Sequence, residues 1–273
     1  APPDDVFRVL LPVGISFFTF QSMSYTIDIY RGVLKPERSL LKFALFVSFF
    51  PQLVAGPIVR AVQFLPQLQY FERRFMFRSG AYHLCRGLFK KVVVSDGVAF
   101  FVDRVFADPM AYSALDNWLA VILFSVQVYC DFSGYSDMAI GCARMMGFRL
   151  PKNFDLPLMA TSIQDFWRRW HISLSSWLRD YVYFPLGGGR AGNANFNLLM
   201  TMVASGVWHG STGQFVIFGL LHGSFLIINR EFGRRFPSII IPAFIGWFLT
   251  QMGWWIGLVF FRAPTMEIVG QVL

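Results

Sequence analysis

The feature that most constrains this chain is a series of long segments that contain no charged residue. Five such runs occur: 9–27, 43–59, 191–208, 210–229 and 236–261. A membrane-spanning helix needs about 20 mostly apolar residues. Backbone in lipid must also satisfy its own hydrogen bonds, which a helix does. The runs therefore predict an all-α, polytopic membrane helical bundle.

The composition argues against a soluble domain. Hydrophobic residues make up 55% of the chain and charged residues 15%, whereas soluble domains have about 25% charged residues. One apolar run would also fit a buried soluble helix, but several runs in one chain do not. The net charge of +8 is spread over short connectors, which is typical of loops beside anionic lipid. We expect no nucleic-acid partner.

Several polar or helix-breaking positions interrupt this pattern. Pro51 and the Gly56–Pro57 pair should break the second run. Residues 60–78 mix Arg with Phe and Leu, which favours an interfacial segment. Residues 154–179 have Trp at helical spacing and predict an amphipathic helix. We therefore expect broken, tilted and interfacial helices.

Other site types have weak sequence support. Cys85, Cys130 and Cys142 form no CxxC pair and leave an odd number, which argues against a disulfide framework and a cysteine zinc site. The chain has no HExxH, Walker or GxSxG motif. We expect no metal and no permanently bound cofactor. We interpret residues 1–273 as a single core fragment without its N-terminal and C-terminal membrane helices.

His209 is the most informative of the four histidines. It lies in GVWHG (206–210), with no other ionisable residue for 18 positions before it or 12 after it. An ionisable residue in such a segment is costly in lipid and indicates a functional site. Desolvation favours a neutral imidazole, which can accept a proton. An interhelical hydrogen bond is the alternative.

The other histidines are less distinctive. His222 repeats the pattern in GLLHG (219–223), and we interpret it as a packing residue. His83 suits a structural or interfacial position. His171 lies in FWRRWHISLS (166–175), where an aromatic interfacial belt and a substrate-orienting role are both open. Trp170 precedes His171 and Trp208 precedes His209, and both indoles could line a tunnel.

The segment 131–137 (DFSGYSD) puts carboxylates and hydroxyls directly after an apolar run. It fits a helix-breaking hinge, a cavity lining or a contact with a donor head group. We predict that this segment breaks its helix and lines a cavity. Asp131, Ser133 and Asp137 are its candidate lining residues, together with Asn153 nearby.

In these motifs the chain resembles the membrane-bound O-acyltransferase family. Its alginate O-acetyltransferase branch is the most similar, with the teichoic acid D-alanyl transferases as relatives. Taken together the motifs cover most of the chain in order, at 11–32, 49–60, 87–96, 131–141, 150–157, 165–190 and 206–210.

The resemblance implies catalytic histidines at His209 and His171, in a ring of helices around a tunnel. It implies acetyl-CoA as a cytoplasmic acyl donor. The acceptor would be a hydroxyl of an extracytoplasmic polysaccharide such as alginate, reached directly or through a periplasmic partner protein. It also implies a multi-pass protein of the bacterial inner membrane.

Alternatives remain at this point. One is D-alanyl transfer to teichoic acid, and another is a noncatalytic transporter or scaffold. A covalent acyl-histidine relay is also open.

If donor and acceptor lie on opposite sides of the membrane, we expect His209 near mid-depth at a constriction and not at a helix end. A continuous cavity should then run past it, bordered by His171.

Overall fold

The computed structural model describes residues 14–53, 56–69 and 75–273. Within these ranges the chain forms helices and no strand, which confirms the predicted fold class. The α-helices are α1 Ile15–Tyr30, α2 Leu40–Ser48, α3 Ala61–Phe64, α4 Phe77–Leu88, α5 Asp96–Ala107, α6 Ala114–Met145, α7 Ile163–Arg169, α8 Ile172–Leu178, α9 Ala194–His209, α10 Gly213–Arg235, α11 Ala243–Arg262 and α12 Met266–Val272.

Short helical turns of other types join these helices. Two of them are π-helical, at Phe89–Ser95 and Arg179–Tyr183, and each continues directly from the α-helix before it. The 3₁₀ turns lie at Phe50–Gln52, Leu65–Leu68, Pro109–Ala111 and Pro157–Met159. Each of these four turns has a proline in its first two positions, where the missing N–H costs no helical hydrogen bond.

In the part of the chain that the structure describes, three helices are long and apolar enough to cross a membrane, namely α6, α10 and α11. The last two confirm the runs at 210–229 and 236–261. For the first run, α1 begins at Ile15, and residues 9–13 lie outside the described ranges. The second run is not one span, because α2 ends at Ser48 and a 3₁₀ turn with Pro51 follows, as the proline predicts.

The predicted break at 131–137 is wrong. α6 continues through this segment for 32 residues. The carboxylates of Asp131 and Asp137 need no break in the helix, because lysines of the π-helical turn that follows α4 pair with them. Lys90 Nζ lies 2.8 Å from Asp137 Oδ2, and Lys91 Nζ lies 2.7 Å from Asp131 Oδ1. Gly134 allows this approach, since a Cβ there would lie 2.9 Å from the Gly87 carbonyl oxygen.

The chain divides into two compact units. The first comprises Ala1–Leu84 and Met138–Pro151, and its core is built around Phe46, Phe64 and Phe148. The second comprises Cys85–Asp137 and Lys152–Leu273, with a core that includes Phe166 and Trp254. Both candidate histidines belong to the second unit.

The helices α9 and α10 form a tightly packed antiparallel hairpin in the second unit. A Cβ at Gly206 would lie 2.1 Å from the Phe215 carbonyl oxygen, and one at Gly219 would lie 2.5 Å from the Met202 carbonyl oxygen. Small residues let helix backbones approach this closely, which strengthens van der Waals packing where lipid supplies no hydrophobic drive.

The amphipathic segment is two helices and not one. α7 ends at Arg169 and α8 begins at Ile172, with Trp170 and His171 between them. The backbone of this break is held by neighbouring chain, because the Ile172 N–H donates to the Asn153 carbonyl oxygen at 2.8 Å. Trp spacing alone does not reveal the break.

Candidate functional site

Asn153 organises the break between α7 and α8. Its side chain is 1% exposed. Its Oδ1 accepts from the Ser173 backbone N–H at 3.2 Å and from the Ser173 hydroxyl at 2.9 Å. Its Nδ2 donates to Ser136 Oγ of α6 at 3.1 Å. The amide therefore ties α6 to the start of α8.

The same amide fixes the protonation pattern of His171. His171 Nδ1 lies 3.1 Å from Asn153 Oδ1. A backbone N–H can only donate, so the Asn153 atom that faces Ser173 N must be the oxygen. His171 Nδ1 must then carry a proton and donate to that oxygen. In the neutral ring, Nε2 is therefore the hydrogen-bond acceptor.

The backbone of His171 is strained. Its φ is 41° and its ψ 55°, the left-handed region that a residue with a Cβ seldom occupies. Such strain persists only where surrounding contacts hold it, and it is found often at functional sites. The ring is 2% exposed and packs edge-on against Phe132 of α6, with ring centroids 4.5 Å apart.

His209 has a different environment. It is the last residue of α9, because Gly210 is extended and α10 begins only at Gly213. The expectation that it would not lie at a helix end is therefore wrong. The half-buried ring lies edge-on to Phe261 at 4.9 Å and is also near Phe215 and Phe218. No hydrogen bond joins its nitrogens to another residue in the described part of the chain.

Trp208 lies between the two histidines. Its ring centroid is 6.1 Å from that of His171 and 4.6 Å from that of His209. The two imidazole centroids are therefore no farther apart than the sum of these distances. The structure thus brings both sequence-predicted histidines and Trp208 into one cluster, which we call the imidazole cluster.

The stretch 131–137 contributes to this region through one face of α6 only. Phe132 and Ser136 face His171 and Asn153. Ser133 and Asp137 lie on the face that bonds Lys90. Asp131 pairs with Lys91 and is half exposed. Asp131, Ser133 and Asp137 therefore bond lysines, whereas Asn153, which we predicted with them, contacts the His171 imidazole.

Trp170 packs in the hydrophobic core of the second unit. It stacks on Phe166 with ring centroids 5.6 Å apart and also contacts Trp254 at 4.6 Å. This position gives the indole a structural environment beside His171. Its predicted role in lining a tunnel stays a prediction.

A cavity of about 470 Å³ lies next to the imidazole cluster. Leu174 and Ser175 of α8 and Ser205 of α9 are among its lining residues. His171 and His209 are each about one helical turn beyond these positions, since residues three or four apart share a helix face. Neither imidazole is among the lining side chains, so the predicted cavity that runs past His209 stays a prediction.

The chain matches known proteins over nearly its whole length. The sequence profile of MBOAT, the membrane-bound O-acyltransferase family, matches residues 32–262. Similarity to the "Probable alginate O-acetylase AlgI" of Pseudomonas aeruginosa is 43% identity over 265 residues, 96% of this chain and 50% of that protein.

The chain belongs to the membrane-bound O-acyltransferase family.

Other relatives of this family carry different names. The "Peptidoglycan O-acetyltransferase" of Helicobacter pylori is 38% identical over 306 residues, 98% of this chain and 57% of that protein. The "Teichoic acid D-alanyltransferase" of Bacillus subtilis is 30% identical over 246 residues, 85% of this chain and 62% of that protein. The chain spans about half the length of the alginate O-acetylases that it matches. The matched residues of the MBOAT profile include the whole imidazole cluster.

Several residues around the imidazole cluster were not predicted from the sequence. Ser136 and Ser173 hold Asn153, and Phe261 covers His209. Ser136 lies in the polar stretch that drew attention for its carboxylates. Phe261 is one of 32 phenylalanines, and its sequence position gives no sign that α11 brings it to α9.

Proposed function

We propose that this protein transfers an acetyl group from a thioester donor to a hydroxyl acceptor. The observation that carries the proposal is the imidazole cluster: a half-buried His209 without a hydrogen-bond partner in the described chain, joined through Trp208 to an oriented His171. Acyl transfer to a hydroxyl needs a group that removes the hydroxyl proton during attack, and a neutral imidazole does this.

His209 is the general base of this reaction. It takes the proton from the acceptor hydroxyl as the oxygen attacks the thioester carbon. The C–S bond then breaks, and the departing thiolate takes the proton from the His209 imidazolium. The products are an ester and a thiol, and the imidazole returns to its neutral form.

His171 positions the acceptor and does not donate to the oxyanion. Its Nδ1 already donates to Asn153, and its neutral Nε2 is an acceptor. Its Nε2 is suited to accept a hydrogen bond from a second hydroxyl of the acceptor, since the reacting hydroxyl gives its one proton to His209. The indole N–H of Trp208 is a pure donor on a ring beside both imidazoles, and it is our candidate for the developing negative charge.

The names of the relatives support an acetyl group. The proteins that are 43% and 38% identical are named an O-acetylase and an O-acetyltransferase, whereas the D-alanyltransferase is 30% identical. We therefore propose acetyl-CoA as donor and a polysaccharide such as alginate as acceptor, directly or through a periplasmic partner protein. The location would be the bacterial inner membrane, with several passes.

The test is thiol release from acetyl-CoA by the purified full-length protein, with and without a polysaccharide acceptor. We expect release in the wild type that increases with acceptor, and none above background in His209→Ala. His83→Ala is the matched control, because His83 lies on α4 and belongs to the first unit. Normal release by His209→Ala would exclude the assignment, and no release by the wild type would favour a scaffold or transporter.

A further inference from the structure

A groove of about 580 Å³ lies between α10 and α11, and the start of α7 also lines it. α11 returns alongside α10 in the opposite direction. A Cβ at Gly253 would lie 3.3 Å from the Phe225 ring, and one at Gly257 would lie 2.4 Å from His222 Nε2. The lining side chains of the groove are uncharged and mostly apolar. Because both long helices are candidate membrane spans, the groove belongs to the part of the protein that meets lipid.

The groove has the depth of one leaflet of a bilayer. Its α11 wall runs from Gly246 to Ile256, which is about 15 Å at 1.5 Å per residue. The hydrocarbon core of a bilayer is about 30 Å thick, so the chains of one leaflet fill about half of that distance. Ile228 and Leu249 line the groove and are 62% and 58% exposed. The groove is therefore open along its side to an acyl chain.

One end of the groove is basic. Phe232 lines the groove within the last turns of α10, which also contain Arg230, Arg234 and Arg235. Glu231 pairs with Arg234 at 3.2 Å. Three arginines and one glutamate leave this stretch a net charge of +2. The exposed Arg234 and Arg235 therefore present positive charge to an anionic group at this end.

Polar uncharged groups line the groove near the same end. Asn229 immediately precedes the basic stretch and lines the groove. Thr161 and Ser162 line it beside the start of α11, where a Cβ at Gly246 would lie 2.4 Å from the Thr161 carbonyl oxygen. Along the groove, positive charge is followed by polar groups and then by apolar side chains. A phospholipid has the matching order of phosphate, ester oxygens and acyl chain.

We propose that this groove binds an anionic phospholipid, with one acyl chain between α10 and α11 and the phosphate beside Arg234 and Arg235. The Thr161 hydroxyl and the Asn229 amide donate to the ester oxygens. Basic residues at a membrane surface strengthen the binding of anionic lipid, which gives the site its head-group preference. Residues outside the imidazole cluster line the groove, so this inference does not depend on the proposed function.

Photolabelling of the full-length protein in detergent tests the site. The probe is phosphatidylglycerol with a photoreactive acyl chain, and labelled peptides are mapped by mass spectrometry. We expect labels on 225–232 and 241–256. Half-saturation should occur at about tenfold lower concentration than with phosphatidylcholine that carries the same chains, because the basic end favours the anionic head group.

Charge-removing variants test the head-group preference. Arg234→Gln combined with Arg235→Gln should remove most of the tenfold preference and leave phosphatidylcholine labelling within about twofold of the wild type. Arg78→Gln combined with Arg104→Gln is the matched control, because it removes the same charge from exposed positions on α4 and α5. This control should keep the preference.

Groove-filling variants test the position of the acyl chain. Ile228→Trp and Leu249→Trp enlarge a side chain on either wall and should each lower labelling at least about fivefold. Leu220→Trp is the matched control, since Leu220 is an exposed leucine of α10 outside the groove lining. Thermal unfolding in detergent shows whether each variant is folded, and the arginine pair decides the test if neither groove variant folds.

Four results would overturn the proposal. The first is even labelling of α6, α10 and α11, and the second is equal affinity for the two phospholipids. The third is an equal loss of labelling in Leu220→Trp and the groove variants. The fourth is the absence of label from 225–232 and 241–256, which would mean that another segment of a longer chain or a second copy covers the groove.

Discussion

Two neighbouring segments of this protein share one sequence pattern and have different structures. GVWHG (206–210) and GLLHG (219–223) both place a histidine between glycines in an uncharged run. His209 ends α9 and is half-buried, whereas His222 lies inside α10 and is fully buried. The pattern therefore predicts close packing, and the end of the helix decides which histidine is accessible.

The following loop explains the difference. Gly210 is extended and stops α9, so the His209 ring lies at the junction of α9, α10 and α11. His222 is followed by Gly223 within a continuous helix, and its ring fits against Gly257 of α11, where a Cβ would lie 2.4 Å from its Nε2. A histidine at a helix end can meet a substrate, and one inside a packed helix meets its neighbours.

The largest expected effect separates the two histidines kinetically. His209→Ala should lower kcat by about 10²–10⁴-fold, the contribution of general base catalysis. His222→Leu should lower kcat far less, because the His222 ring is buried against Trp167 and Gly257 and is not part of the imidazole cluster. Steady-state kinetics of thiol release from acetyl-CoA measure both. Comparable losses of kcat in the two variants would remove the distinction.

A smaller effect is expected from the residue that orients His171. Asn153→Ala removes the acceptor of His171 Nδ1 and of Ser173, so we expect about ten- to hundredfold lower kcat from a lost buried hydrogen bond to the ring. His171→Ala should lower activity at least as much.

Ser176→Ala is the control for that prediction. Ser176 lies on α8, as Ser173 does, and its hydroxyl donates to the Ser173 carbonyl oxygen within that helix. Its activity should remain within about twofold of the wild type, as is usual for such substitutions. A loss as large as that of Asn153→Ala would mean that α8 as a whole is sensitive, and not the orientation of His171.

Two glycines of α10 allow a stability test of its packing against α9. A Cβ at Gly219 would meet backbone atoms of Met202 and Val203, so Gly219→Ala should destabilise the protein by about 1–3 kcal/mol. Gly233→Ala on the same helix meets nothing within 4 Å and should be neutral or slightly stabilising. Chemical or thermal unfolding in detergent compares them, and equal stability of the two variants would contradict the packing argument.

The smallest effect concerns the glycine after His209. A Cβ at Gly210 would lie 2.4 Å from the Phe215 ring, the end of a side chain that can rotate away. Gly210→Ala should therefore cost little stability but shift the Phe215 ring that lies beside His209, with less than about tenfold loss of kcat. Unchanged kcat together with unchanged stability would show that the position of Phe215 does not affect His209.

The sequence alone determined the class of fold and the two principal histidines. Uncharged runs of this length have one solution in lipid, so the helices at 210–229 and 236–261 were predictable. The same logic made His209 conspicuous, because an isolated ionisable residue in such a run is costly. The family resemblance added His171, which the pattern of residues left open between two roles.

Only the tertiary structure decided how polar groups are satisfied. α6 stays helical through 131–137 because Lys90 and Lys91 come from another part of the chain to meet its carboxylates. Asn153 sets the proton of His171 through contacts with α6 and α8, and His222 lies beside Trp167 without a hydrogen-bond partner in the described ranges. Helical periodicity is a local property that sequence encodes directly, whereas pairing of distant side chains depends on how helices pack, and the sequence order does not show it.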